Sequence, residues 1–146
     1  MGRPIYRLYS YEIVNGLIAF LKKQLYNMSI LNIAVFLSSS AFLFYGINCL
    51  SSQKMTEEFI RFGLDKQKRL LTGYLQLLGS FGLVFGYFLL PDLVFIASAG
   101  LTLLMLFGFL LRIKIRDSLL QSLPSLVFAL MNLYICVEYC SRLTLI

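Results

Sequence analysis

Three stretches of this chain, residues 30–50, 70–90 and 93–111, contain no charged side chain, and that absence constrains the fold more than any other feature. Crossing about 30 Å of hydrocarbon at 1.5 Å per residue takes roughly 20 mostly apolar residues, because every backbone amide must be satisfied within the helix. A Lys or Arg at mid-depth would cost roughly 3 kcal/mol on insertion scales. A fourth stretch, residues 119–139, is long and apolar enough as well, with Pro124 near its start and Glu138 near its end. With 59% apolar residues, 14% charged residues and a mean hydropathy of +0.80 over 146 residues, the chain is too apolar for an ordinary soluble domain. We therefore expect an all-α membrane protein, an antiparallel bundle of four transmembrane helices.

The segments between the spans carry their own signals. Only Pro91 and Asp92 separate the second and third spans, which requires a tight antiparallel hairpin. Pro91 is expected to stop one helix, and Asp92 to cap the next. Ser118 and Gln121 have capping-box spacing, favouring a fourth helix that begins before Pro124 and kinks there; a start at Pro124 itself would leave residues 113–123 at the interface. Between the first two spans, Met55, Phe59 and Phe62 recur at i, i+4 and i+7 while Glu57, Glu58 and Arg61 point elsewhere. A short amphipathic helix on the membrane is predicted, with Gly63 at its C-cap and Asp65 as N-cap of the second span.

Residues 1–27 differ in kind from the four-helix domain expected over 28–146. Ile13, Val14, Leu17, Ile18, Leu21 and Leu25 share one helical face, opposite Glu12, Asn15, Lys22 and Lys23. The uninterrupted apolar run is too short to cross, which predicts an amphipathic helix in the interface or one docked on a partner. A signal peptide competes with that reading, since Arg3 and Arg7 precede an apolar stretch, but no small-x-small cleavage site follows. An uncleaved organelle-targeting segment is a further alternative, and Met28 offers an alternative start.

Basic residues set the expected orientation. Eight lie in the loops around residues 51–69 and 112–118, against five at the two ends of the chain. The positive-inside rule places both termini on the side opposite those loops. The basic loops are read as anchors at anionic headgroups rather than as a nucleic-acid surface.

Catalytic chemistry finds few residues to work with. The chain has no histidine, which excludes His-ligated haem, His-containing zinc sites and His-based triads within it. No glycine-rich phosphate loop follows a strand, and no strand is predicted. Neither a catalytic residue nor a metal ligand is assigned. Cys136 and Cys140 are one helical turn apart, a poor disulfide geometry, and Cys49 falls near the opposite membrane face, so free thiols are expected. Glu138 is expected to pair with Arg142 at i+4. Asn48, Gln76 and Asn132 should face the bundle interior as hydrogen-bonding glue. With Tyr74, they are also the candidate polar cluster for an intramembrane ligand, provided they converge with one another or with Ser38–Ser40. Gly82 and Gly86 form a GxxxG pair, and Gly79, Gly100 and Gly108 complete the expected helix-packing positions.

Residues 30–139, about three quarters of the chain, resemble the DoxX-like family of small four-helix membrane proteins. The likeness lies in Phe62-Gly63-Leu64 after the short amphipathic helix, and in the run from Leu71 through Thr72, Gly73, Tyr74, Leu75, Gln76, Leu77 and Leu78 to Gly79. Pro91 in the hairpin, Met105 in the third span and the stretch from Asp117 to Pro124 also fit. Residues 1–27 lie outside it. The resemblance implies a compact bundle in a family that includes a subunit linked to quinone-dependent thiosulfate oxidation, partners of redox-defence enzymes and assembly helpers. Many members carry Glu where Gln76 stands and His near Arg112 and Lys114, so this chain departs from them by losing ionisable groups. The expectation is a non-catalytic accessory or scaffold subunit of a larger membrane complex, respiratory in one version, in the mitochondrial inner or bacterial cytoplasmic membrane. Lipids and other subunits are its expected partners. A quinone-linked redox component and an assembly factor remain the alternatives; no cofactor is predicted outright, although a bound quinone is compatible and bound lipids are expected.

Overall fold

The computed structural model describes residues 5–144, with side chains from residue 12 onward. Five helices follow one another: α1 (Ile5–Ser51), α2 (Gln53–Arg61), α3 (Lys66–Leu89), α4 (Pro91–Lys114) and α5 (Leu119–Leu143). Among the described residues there is no strand. Four helices are long and apolar enough to cross a membrane, over Glu12–Ser51, Lys66–Leu89, Pro91–Lys114 and Leu119–Leu143. The chain divides into two compact units, Met1–Ile33 and Ala34–Ile146.

In the first unit the described residues are helical, and no break separates an N-terminal helix from the first span near residues 28–30. The sequence offers nothing that would end a helix there, since no Gly or Pro falls between Gly16 and Gly46. Ile13, Leu17, Ile18, Leu21 and Leu25 are each at least half exposed on this helix.

The second unit is a four-helix bundle in which each helix lies beside its neighbours in chain order. The last part of α1 meets α3 through a reciprocal serine pair. Ser80 Oγ donates to the Ser39 carbonyl at 2.7 Å, and Ser39 Oγ donates to the Ser80 carbonyl at 3.2 Å. One level away, Gly46 and Gly73 face each other: a Cβ on Gly46 would lie 2.8 Å from a Leu77 methyl and 3.1 Å from the Gly73 carbonyl. This crossing escapes a search for GxxxG, because its two glycines sit on different helices. The ring closes between α1 and α5, where Ser38 Oγ donates to Asn132 Oδ1 at 2.9 Å and Phe42 meets the Phe128 ring edge-on at 5.6 Å. Val35, Phe42, Leu83, Val94, Leu101 and Ile135 fill the interior. Facing outward are Phe44, Leu78, Phe85, Phe88, Ile96, Phe107, Leu130 and Val137, a surface suited to acyl chains, where packing and small residues rather than hydrophobicity hold helices together.

The hairpin between α3 and α4 is tighter than expected. Leu90 alone connects them, serving as C-cap of one and N-cap of the other, while Pro91 occupies the first helical turn of α4. Pro91 therefore starts a helix, where its missing N–H costs nothing, and does not stop one. Asp92 is not the cap; it lies in the first turn, where its charge suits the helix dipole. Such closeness needs Gly86, whose position faces the backbone of Val94. Gly79 and Gly82 likewise face Leu101 and Ala97 of α4. Gly100 and Gly108 mark no close helix approach within the chain, since a Cβ on either would meet nothing within 4 Å.

Helix ends follow from local backbone bonding. α2 ends in a Schellman turn, with Gly63 at φ 70° and the Leu64 N–H donating to the Phe59 carbonyl. The same motif ends α4, with Arg116 at φ 59° and the Asp117 N–H donating to the Arg112 carbonyl. Ser118 is the N-cap of α5 and Asp65 of α3, both without a side-chain capping bond, so the Ser118/Gln121 box does not form. Pro124 lies inside α5, which thus begins before it. The end of α1 is held by Arg69 of α3, whose guanidinium donates to the carbonyls of Cys49 and Leu50. A cation at these last carbonyls satisfies acceptors the helix cannot. Glu138 makes no pair with Arg142, whose guanidinium instead stacks over the Tyr139 ring at 5.6 Å. An aromatic face one residue closer competes well for an Arg at the end of a helix.

Candidate functional site

Antiparallel packing brings four helix ends together on one side of the bundle: the C-termini of α1 and α4 and the N-termini of α3 and α5. The amphipathic α2 lies beside them, and Met55, Phe59 and Phe62, the apolar stripe read from the sequence, turn toward a cavity of about 270 Å³. Cys49, Thr72, Arg112 and Gln121 line this cavity near the helix ends, whereas Tyr45, Gln76, Leu104, Met105 and Phe128 lie one or more turns deeper. The site is thus a chamber entered beside α2 and closed at depth by side chains from all four long helices.

A charge network fixes α2 in place. Arg61 donates from both Nη atoms to the two carboxylate oxygens of Asp117, at 2.9 and 3.0 Å, and from Nη2 to Glu58 Oε2 at 2.9 Å. Arg112 donates to Asp117 at 3.1 Å and lies 3.8 Å from Glu58. Both guanidinium groups also stand over the Phe62 ring, at 5.5 and 5.2 Å. The left-handed turn at Arg116 reverses the chain after α4 and carries Asp117 back to this pairing position. The Glu58 hydrogen bond first, and then the charges of Glu58 and Asp117, hold the Arg61 guanidinium above its ordinary range. Two positive and two negative groups make the network neutral overall.

Sequence reading missed this arrangement. Glu58 and Arg61 look like a solvated helix face, and Arg112 looks like a headgroup anchor. Nothing in the spacing connects either to Asp117, whose partner Arg61 is 56 residues away. The consequence is testable: Asp117→Asn removes the negative charge shared by both arginines and replaces one of its two accepting oxygens with a donor. Amide hydrogen exchange across α2 is then expected to rise about tenfold, in line with the loss of a charge-assisted hydrogen bond, while exchange in the middle of α3 stays unchanged.

At the inner end lies Gln76, 7% exposed, whose Oε1 has no hydrogen-bond partner. Arg69 Nε is the other unpartnered buried side-chain atom found among the described residues, but Arg69 does not line the cavity. An unsatisfied buried acceptor costs about 1–3 kcal/mol, which a bonded guest can recover. The other members of the expected polar cluster lie elsewhere. Asn132, fully buried, spends its amide on Ser38 and the Phe128 carbonyl. Asn48 donates to the Phe44 carbonyl within its own helix, and Tyr74 is 57% exposed on the outer surface. Of the serine run, Ser38 and Ser39 are used between helices, while Ser40 bonds back to Phe36. Gln76 therefore keeps company with Tyr45, Thr72, Gln121 and Ser125. Their grouping comes from three different helices, α1, α3 and α5, which is why periodicity along any one of them does not reveal it.

This bundle, with its short amphipathic helix before the second span and its one-residue hairpin after it, can now be compared with known proteins. The DoxX-like family matches over residues 28–135, nearly three quarters of the chain. The chain belongs to the DoxX-like family. It is an integral membrane protein with four candidate spans. The match begins at Met28, so the helical residues before it lie outside the shared family region. No curated protein and no solved structure matches the chain.

Proposed function

We propose that this DoxX-like protein is a non-catalytic accessory or scaffold subunit of a larger membrane complex. The observation that carries this reading is the exposed apolar face of the N-terminal helix. Ile13, Leu17, Ile18, Leu21 and Leu25 stand 50–68% exposed, opposite Glu12, Lys22 and Lys23 and outside the region the family shares. A face of this kind suits an apolar partner surface on one side and headgroups or water on the other. Support also comes from the bundle interior, where Ser38, Ser39, Ser80 and Asn132 are engaged in hydrogen bonds that hold helices together. Groups committed to packing are poorly placed for proton or electron transfer. Lipids and neighbouring subunits are the partners this surface fits.

The test is to place charge on that face. Leu17→Glu combined with Leu21→Glu is expected to abolish co-purification of stoichiometric partners from the native membrane, with the protein still inserted. Asn15→Glu, on the polar face, is expected to leave co-purification intact. Unchanged association in the double variant would remove the N-terminal helix from the interface.

A further inference from the structure

The chamber beside α2 has properties that a subunit-docking role leaves unused, and they concern a small ligand. We propose that it binds a neutral molecule bearing a hydroxyl group on an aromatic ring, with the hydroxyl meeting the amide of Gln76 at the inner end. This inference does not rest on the accessory-subunit reading.

Four features define the ligand. The Gln76 side chain is more than nine-tenths buried, lines the cavity, and leaves Oε1 without a partner. An amide both donates and accepts, and a hydroxyl is the smallest group that answers both. The charges at the mouth balance: Arg61 and Arg112 are paired with Glu58 and Asp117, so a charged guest would find no uncompensated counter-charge and would carry its full desolvation cost. The walls are rings and thioethers, with Tyr45, Phe59, Phe62 and Phe128 beside Met55 and Met105; ring edges and sulfur favour a planar aromatic guest over a saturated chain. Finally, about 270 Å³ suits one ring with short substituents, toward the small end of ligand pockets and well short of a whole diacyl lipid.

The arrangement also states how the guest enters. Met55, Phe59 and Phe62 cover the chamber from α2, and the only bonds tying α2 to the ends of α4 and α5 are those of the Arg61–Asp117–Arg112–Glu58 network among the described side chains. Loosening that network frees the cover without disturbing Gln76.

The experiment uses full-length protein in detergent micelles and two probes of nearly equal shape, 4-propylphenol and its methyl ether 4-propylanisole, with saturable binding measured by calorimetry. The phenol is expected to bind about tenfold more tightly than the ether, the worth of one buried hydrogen bond. Gln76→Leu is expected to bring the phenol down to the level of the ether. Gly108→Leu grows a side chain from a cavity-lining position with open space around its Cβ, and is expected to abolish saturable binding of both probes. Equal affinity for the two probes in the unsubstituted protein would overturn the proposal, as would a preference for the phenol that survives Gln76→Leu. Saturable binding that persists in Gly108→Leu would place the site elsewhere and overturn it too. Should Gln76→Leu fail to fold, the phenol-to-ether ratio and the Gly108→Leu result still decide the matter.

Discussion

Replacing Gly86 with valine is expected to destabilise the bundle by about 3 kcal/mol or more, because a side chain cannot be added where two backbones already touch. A Cβ at this position would lie 2.6 Å from the Val94 nitrogen and 3.1 Å from the Leu93 carbonyl carbon. Backbone atoms cannot rotate aside as a leucine methyl can. Leu90 is the single residue between α3 and α4, so the hairpin has no slack with which to separate the helices. Detergent-resistant thermal unfolding, followed by circular dichroism, is the measurement. Gly100→Ala provides the contrast: it meets open space, and the helix propensity it gains should stabilise by about 0.5–1 kcal/mol. Equal behaviour of the two variants would contradict the close approach at Gly86.

Phe42→Ala is expected to cost about 3–5 kcal/mol, the range for emptying a buried aromatic position. Phe42 is fully buried and packs edge-on against Phe128 at 5.6 Å, and Phe128 in turn borders the chamber and passes its carbonyl to Asn132. Loss of the Phe42 ring therefore weakens the α1–α5 seam and frees Phe128 to tilt into the space left. The same unfolding assay reads the stability. A loss below about 1 kcal/mol would mean that the seam is held by the Ser38–Asn132 bond rather than by the rings.

What could be read from the sequence was whatever a single helix displays along its own length. Charge-free runs announced the spans, because a charge at mid-depth in hydrocarbon costs roughly 3 kcal/mol and is therefore rare within a spanning helix. The stripe of Met55, Phe59 and Phe62 announced α2, and Gly63 its left-handed end, since few other residues adopt that backbone cheaply. Hidden were the features that arise only when helices meet. Gly46 and Gly73 look unremarkable on their own helices and matter because they face each other. Asp117 reads as a loop residue before a helix and proves to be the acceptor for two arginines. Arg116 occupies a left-handed turn without being glycine or asparagine, so no sequence cue marks it.

The polar residues show the same division. Asn132 and Gln76 are both large amides within apolar helices, and nothing local distinguishes them. Packing does: Ser38 stands across from Asn132 and uses its amide, whereas Gln76 faces a chamber with its oxygen unpaired. Asn48, only partly buried, bonds back to Phe44 one turn earlier, a route open to any Asn in a helix. Glu138 and Arg142 have ideal spacing for an ion pair, but the Tyr139 ring takes the guanidinium. Spacing defines which contacts are within reach, and competition among neighbours decides which one forms.

The central claim is that this DoxX-like chain works as a fixed, non-catalytic part of a larger membrane assembly. Its most direct test is purification of the full-length protein from its native membrane in mild detergent, followed by native separation and mass spectrometry. The account predicts migration with a larger complex at constant stoichiometry, without a tightly held quinone. A free monomer or homodimer that retains quinone would contradict it and would point to an independent redox component instead.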